Sequence, residues 1–265
     1  MIIRFYLCGM LKSTLLKATE AGGKILQQYF NGAFEVSSKS TVNDLVTEAD
    51  KKSEAVIIEV IRNTYPDHFI LSEEVGAIKT DSAYKWIIDP IDGTVNFANG
   101  IPICCVSIGV EKEGEMVLGA VYNPFMNELF VAEKGKGATL NDKPIHVSAK
   151  ANVATSCLVT GFPYKWEESD QNPLQVLTSV IKQGIPVRRL GSAAIDLCWV
   201  ACGRFDGFWE HHLQAWDSAA GYLMVEEAGG KVTQFSGDKF SPYQKDILAT
   251  NGHIHSELRN LINGK

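Results

Sequence analysis

No zinc-ligand spacing occurs in the sequence: the six cysteines, at 8, 104, 105, 157, 198 and 202, include no Cys-x-x-Cys pair. That argues against a structural zinc site or a dithiol redox centre. Cys104-Cys105 falls in an apolar, strand-like run, and Cys198 and Cys202 lie four apart on one helix face, so they read as reduced core thiols of a cytoplasmic protein. An apolar run long enough to cross a bilayer is also missing. Residues 1–10 are mildly apolar but too short for a span, and lack a small-residue cleavage site; they read as an N-terminal arm, with Met10 as an alternative start. Positive charge is scarce: 25 Lys and Arg face 31 Asp and Glu, a formal net charge of −6. Pairs such as Lys51-Lys52 and Arg188-Arg189 are too small for direct nucleic-acid binding, which needs clustered cations. There is no internal repeat and no low-complexity linker. With 45% hydrophobic and 21% charged residues, wholesale disorder is excluded. A length of 265 residues suffices for one large domain or two closely packed ones.

What is present concentrates in Trp86-Ile-Ile-Asp-Pro-Ile-Asp-Gly-Thr-Val-Asn-Phe97. The apolar run Trp86-Ile87-Ile88 reads as a buried strand end that delivers Asp89. Pro90 fixes its own φ and disfavours the helical region for Asp89, so the strand is expected to stop and turn there, with Asp92 three residues on beside the permissive Gly93. Two carboxylates at one partly buried turn repel each other unless a cation lies between them, and an all-oxygen set suits a hard ion such as Mg2+. Gly93-Thr94 adds backbone N–H groups and a hydroxyl where a helix can begin, a favourable place for phosphate. Taken alone, the same residues also describe an ordinary polar turn.

Along the rest of the chain, Leu11, Leu15, Ala18, Ile25 and Tyr29 recur at helical spacing and predict a first helix ending by Asn31-Gly32. Thr47-Glu-Ala-Asp50 has capping-box spacing ahead of a second helix that stops near Tyr65-Pro66, which puts Asp50 in its first turn, where a carboxylate is often only a cap. A strand over 68–72 leads into Glu73-Glu74. Segments 103–111, 116–122 and 129–132 alternate with Gly-containing turns as an antiparallel meander. Gly135-Lys-Gly137 lacks the P-loop spacing and reads as a turn. Beyond Ser148 strands and helices alternate: strands over 157–160, 187–190, 205–210, 231–235 and 247–250, and helices over 173–182, from Ser192 to Cys202, from Ala215 to Gly229-Gly230, and from about Ile254. Ser192 is placed to cap its helix, and Asp217 sits in the first turn of a helix rich in small residues.

Glu73, Asp89, Asp92 and Asp217 thus stand at strand and helix ends, the pattern of a site assembled by folding. Asp89-Pro-Ile-Asp-Gly-Thr94, Ser72-Glu-Glu74 and Trp216-Asp-Ser-Ala-Ala-Gly221, with Asp44-Leu-Val-Thr-Glu-Ala-Asp50 and Gly191-Ser-Ala-Ala194, resemble the motifs of the inositol monophosphatase family over nearly the whole chain from about Met10. The resemblance implies an α+β/α/β layered α-β-α-β-α sandwich of the inositol monophosphatase and fructose-1,6-bisphosphatase type. Within it, residues 11–148 would carry most metal ligands, and 149–265 the substrate contacts and Asp217. It implies a lithium-sensitive phosphomonoesterase using two or three Mg2+ ions, held by Glu73, a bridging Asp89, the Ile91 carbonyl, Asp92 and Asp217. Asp50 and Thr94, with Glu73, match residues that orient or activate water, and Gly93 and Thr94 match a phosphate clamp. Gly191, Ser192, Ala193, Glu210 and Asp217 match the substrate side. The implied reaction converts inositol monophosphate to inositol and phosphate in a homodimer without membrane attachment. Fructose 1,6-bisphosphate, 3′-phosphoadenosine 5′-phosphate and nicotinamide dinucleotide phosphates are alternative substrates, and a protein that binds a macromolecular partner is an alternative of a different class. Ser72 departs from the family pattern, where glycine commonly precedes the two acids; it bears on loop mobility, not on the metal ligand.

Overall fold

Helix α1 (Ile2–Tyr29) and helix α2 (Glu48–Thr64) lie side by side, joined through a short antiparallel pair, β1 (Val36–Ser38) and β2 (Leu45–Thr47). The computed structural model describes residues 2–32, 36–38, 45–163 and 172–264; Asp44 of the expected motif lies outside them. Leu11, Leu15, Ala18 and Leu26 of α1 and Ala49, Ile57 and Ile61 of α2 form one apolar stripe each, and both stripes pack against a sheet. The first helix therefore begins at Ile2 and not at Leu11: residues 2–10 extend it as helix where an arm was expected. That stretch has no capping residue or clear periodicity to announce it.

The sheet comprises β3 (Phe69–Ser72), β4 (Gly76–Ile78), β5 (Tyr84–Asp92), β6 (Cys105–Lys112), β7 (Glu115–Asn123), β8 (Glu128–Glu133), β9 (Gly137–Leu140) and β10 (Lys143–Ile145). Its order is β10-β9-β8-β7-β6-β5-β3-β4, antiparallel throughout except between β3 and β5. The expected meander is there, and it runs on through the two short strands β9 and β10, which the sequence reading did not include. Central strand β5 is buried on both faces: Trp86 and Ile88 point to α1 and α2, while Ile87 points the other way. Pro90 does not end this strand. The chain bulges between Asp89, paired with Ser107, and Asp92, paired with Cys105; a bulge absorbs the proline's missing N–H without giving up the pairing on either side.

After β11 (Leu158–Thr160) come helix α4 (Pro173–Ile181), β12 (Val187–Arg188) and helix α5 (Ala193–Ala201); α3 (Thr94–Ala98) precedes them as a single short turn after β5. The chain ends with β13 (Gly207–His211), α6 (Ala215–Glu227), β14 (Lys231–Thr233), β15 (Asp246–Thr250) and α7 (His255–Ile262). These strands make a second sheet of order β12-β11-β13-β15-β14. Helices α5 and α6 lie between the two sheets in one core that includes Ile87 from the first and Phe208 from the second. Helices α4 and α7 cover the outer face around Trp209 and Leu248. The layers are therefore α-β-α-β-α, as the resemblance implied. Small residues set the spacing of the middle layer: a Cβ on Gly119 would come within 3.0 Å of the Ala220 carbonyl oxygen, and one on Gly221 within 2.7 Å of Leu197. That close approach packs α6 tightly against β7 and α5.

Candidate active site

The bulge in β5 turns Asp89, Ile91 and Asp92 towards one pocket, which Glu73 reaches from the end of β3 and Asp217 from the first turn of α6. Three of these carboxylates accept described hydrogen bonds. Asp89 Oδ1 accepts from the Ile91 amide at 3.0 Å, and Asp217 Oδ2 from the Gln214 amide at 2.7 Å. Asp92 Oδ2 accepts from Ser192 Oγ at 2.6 Å and from the Ala194 amide at 2.7 Å. Asp92 thereby caps α5 from another part of the chain. Ser192 holds the N-cap position but makes no side-chain cap bond, because its hydroxyl is spent on Asp92. The expected serine cap is thus a carboxylate cap, which suits the positive end of the helix dipole better.

Asp50 stands behind this group and does two jobs. Its Oδ2 closes the capping box of α2, accepting from the Thr47 amide at 2.7 Å and from Thr47 Oγ1 at 2.6 Å. Its Oδ1 lies 3.3 Å from Thr94 Oγ1, which is itself 3.0 Å from the Ile91 carbonyl oxygen. With one proton, the Thr94 hydroxyl donates to one of these at a time and keeps its lone pairs for a donor in the pocket. Gly93, which precedes it, has φ 92°. A Cβ there would also lie 2.9 Å from the Ile103 carbonyl oxygen, so only glycine fits the conformation and the space.

Burial dominates the electrostatics. It pushes Asp89 and Asp217 well above the ordinary carboxylate range, and the charges of Glu73 and Asp92 push both further the same way. Burial raises Asp92 to about 6, against the opposing bonds from Ser192 and Ala194, and Asp50 to about 7, against those from Thr47. Such acids are fully ionised together at neutral pH only with positive charge near them. The donor set, oxygen throughout, fits a hard divalent cation. Among the described residues no three acidic, His or Cys side chains are grouped tightly enough to hold an ion unaided. A cation here competes with the backbone bonds just described.

Gly191, Ser192, Ala193 and Glu210 line the rest of the pocket, so the expected substrate-side residues share it with the acids. Burial raises Glu210 to about 8, partly offset by the Arg189 charge. Five further lining residues were not anticipated: Gly161, Phe162, Arg189, Asp196 and Leu213. A Cβ on Gly161 would fall 2.1 Å from Glu210 Oε2, so this glycine makes room for the carboxylate; nothing local in Thr160-Gly161-Phe162 signals it. Asp196 is 1% exposed, and its Oδ1 has no hydrogen-bond partner among the described residues. The thiols next to the site are quiet: burial raises Cys105 well above its usual value. The Gly135 and Gly137 amides of the superficial phosphate-loop look-alike are both occupied by the Glu227 carboxylate at 2.8 Å.

Known proteins give the same picture. The family model described as inositol monophosphatase family matches residues 11–264. Inositol-1-monophosphatase of Synechocystis sp. is 46% identical over 245 residues, 91% of this chain and 85% of that protein. Nus factor SuhB of Haemophilus influenzae is 43% identical over 254 residues, covering 96% and 95% of the two chains. The solved structure of inositol monophosphatase from Anabaena (Nostoc) sp. superposes with a TM-score of 0.87 at 40% identity, over 97% of this chain and 96% of that one. With the layered fold, the acid-lined pocket and these matches in agreement, the chain belongs to the inositol monophosphatase family.

Proposed function

We propose that this chain is a Mg2+-dependent phosphatase that hydrolyses inositol monophosphate to inositol and phosphate. The observation that carries the reading is the meeting, in one pocket, of Glu73, Asp89, Asp92 and Asp217 with Glu210. Glu73, Asp89, the Ile91 carbonyl, Asp92 and Asp217 would hold two or three Mg2+ ions, which neutralise the phosphate dianion, acidify water and stabilise the leaving oxygen. Gly93 and Thr94 supply backbone N–H groups at the rim for the phosphate oxygens. Thr94, hydrogen-bonded towards Asp50, orients the attacking water, and Asp50 takes up its proton. Glu210, with Gly191, Ser192 and Ala193, faces the alcohol, where a buried acceptor for ring hydroxyls discriminates between substrates more strongly than an apolar wall.

The test is phosphate release from a panel of monoesters with Mg2+ and with a chelator. Inositol monophosphate should be preferred over fructose 1,6-bisphosphate, 3′-phosphoadenosine 5′-phosphate and nicotinamide dinucleotide phosphates. Release of phosphate at equal rates under both conditions contradicts the metal role. Li+ should inhibit and Ca2+ should support little turnover, since its larger, looser shell suits in-line displacement poorly. A homodimer in the cytoplasm completes the proposal. The Haemophilus relative's name, a Nus factor, favours a second reading in which the same chain also binds a macromolecular partner; recovery of such a partner by pull-down from the native host tests it.

A further inference from the structure

Helix α2 carries Asp50, Ser53 and Glu54 on one face, at the spacing that places side chains side by side, and all three are buried. Each ties a different part of the site to the helix. Asp50 reaches Thr94, and Ser53 Oγ donates to the Pro90 carbonyl at 3.0 Å, in the bulge between Asp89 and Asp92. Glu54 reaches the turn after β3. Its Oε1 accepts from the Glu74 amide at 3.0 Å, from the Val75 amide at 3.2 Å, and from the hydroxyl of Ser72. Glu73 is thus flanked on both sides by residues fastened to a single carboxylate oxygen, and its own amide donates to the Ile88 carbonyl at 3.2 Å. Glu54 is 2% exposed and Ser72 is fully buried, so water competes little for these bonds.

A glycine at 72, as the family pattern leads one to expect, could not donate a side-chain bond. The serine therefore gives this chain one attachment more. We infer that Glu54, together with Ser72, is a positioning residue that pre-orders the Glu73 turn for cation binding. Outer groups that orient a metal ligand set affinity by reducing what must be ordered when the ion arrives. The inference rests on the proposed metal role of Glu73, and its test separates the two.

Mg2+ alone is titrated calorimetrically into the chelator-treated full chain and into Glu54→Gln and Ser72→Gly, and amide exchange at Glu74 and Val75 is followed in parallel. Glu54→Gln should weaken Mg2+ binding by roughly tenfold, within the range known for outer-shell partners. It should also speed exchange at those two amides, with the melting temperature little changed. Ser72→Gly removes a bond without altering the site's charge, and should shift both readouts in the same direction by a smaller factor. The double variant should lose less than the product of the two single losses, since both act on one turn. If wild-type chain takes up Mg2+ but both variants bind it within twofold of wild type, the positioning role is wrong and the metal role stands. If wild-type chain binds no Mg2+, both are wrong.

Discussion

The two walls of the pocket are built differently. On the acid-rich wall the carboxylates accept from donors held by the fold: Asp50 from Thr47, Asp89 from Ile91, Asp92 from Ser192 and Ala194, Asp217 from Gln214. Its carboxylates stand on a central strand, on the first turn of a tightly packed helix and on a turn strapped to α2. The wall around Glu210 is looser. It has a glycine under Glu210, an exposed Arg189 and a buried Asp196 Oδ1 without a partner among the described residues. Preorganised groups suit a reaction whose charge develops at one fixed place, whereas unsatisfied buried acceptors suit recognition of hydroxyls that arrive with the substrate. The first wall is read here as the wall of turnover and the second as the wall of choice.

The largest expected effect breaks the first wall. Asp89→Asn should lower turnover by at least ~1000-fold, since a carboxylate that would hold the proposed Mg2+ contributes several kcal/mol to the transition state. The metal-free variant should stay folded, because the substitution relieves repulsion among crowded acids. Steady-state kinetics at saturating Mg2+ with a thermal melt checks both halves. Next, Thr94→Ala should cost ~100-fold in kcat with little change in KM, as expected of a group that acts on water in the transition state. A raised KM with unchanged kcat would assign Thr94 to ground-state binding instead.

Glu210→Ala sharpens the comparison from the other side. Losing a buried acceptor for ring hydroxyls should cost about 1–3 kcal/mol in kcat/KM for inositol monophosphate, and much less for β-glycerophosphate, which reaches less far. Its Mg2+ dependence should not change.

The smallest effect is on stability. A buried acid with a raised pKa favours the fold only while protonated; that contribution is complete below about pH 4, the ordinary carboxylate value, and is lost as pH rises past the folded value. Here the folded values are about 6 for Asp92, 7 for Asp50 and 8 for Glu210. The chelated protein should therefore melt lower at pH 8.5 than at pH 6.5, by on the order of 5 °C, and Mg2+ should restore it. His255, lowered to about 4 by burial, is neutral in the folded protein throughout this window; its unfolded form loses the last of its proton just above pH 6.5, which opposes the trend only at the lower edge. A melting temperature that rises over the same interval contradicts the assignment of buried, repelling acids.

The two walls also differ in how far they can be read from sequence. Asp89-Pro-Ile-Asp-Gly packs its chemistry into five consecutive residues, so the sequence alone groups these carboxylates. Asp50 announced itself by capping-box spacing. Glu54 did not: it follows Lys51 and Lys52 in an amphipathic helix and reads as one more surface acid. Only the approach of β3 buries it. Asp92 as the cap of α5 depends on a contact across 102 residues, and Gly161 on the side chain of Glu210; neither leaves a local trace. The layered fold was legible through the family motifs, whereas helical and strand periods alone gave only the order of the elements. The bulge at Pro90 was not, since the same proline serves equally well to end a strand, and pairing of Asp92 with Cys105 decides the matter.

The division of labour between the walls is tested most directly by one set of rates: kcat/KM for inositol monophosphate and β-glycerophosphate on wild type, Asp89→Asn and Glu210→Ala at saturating Mg2+. Asp89→Asn should lose both substrates by the same large factor, leaving their ratio unchanged, while Glu210→Ala should collapse the ratio towards one. Equal losses of both substrates in Glu210→Ala, or near-wild-type rates in Asp89→Asn, would contradict it.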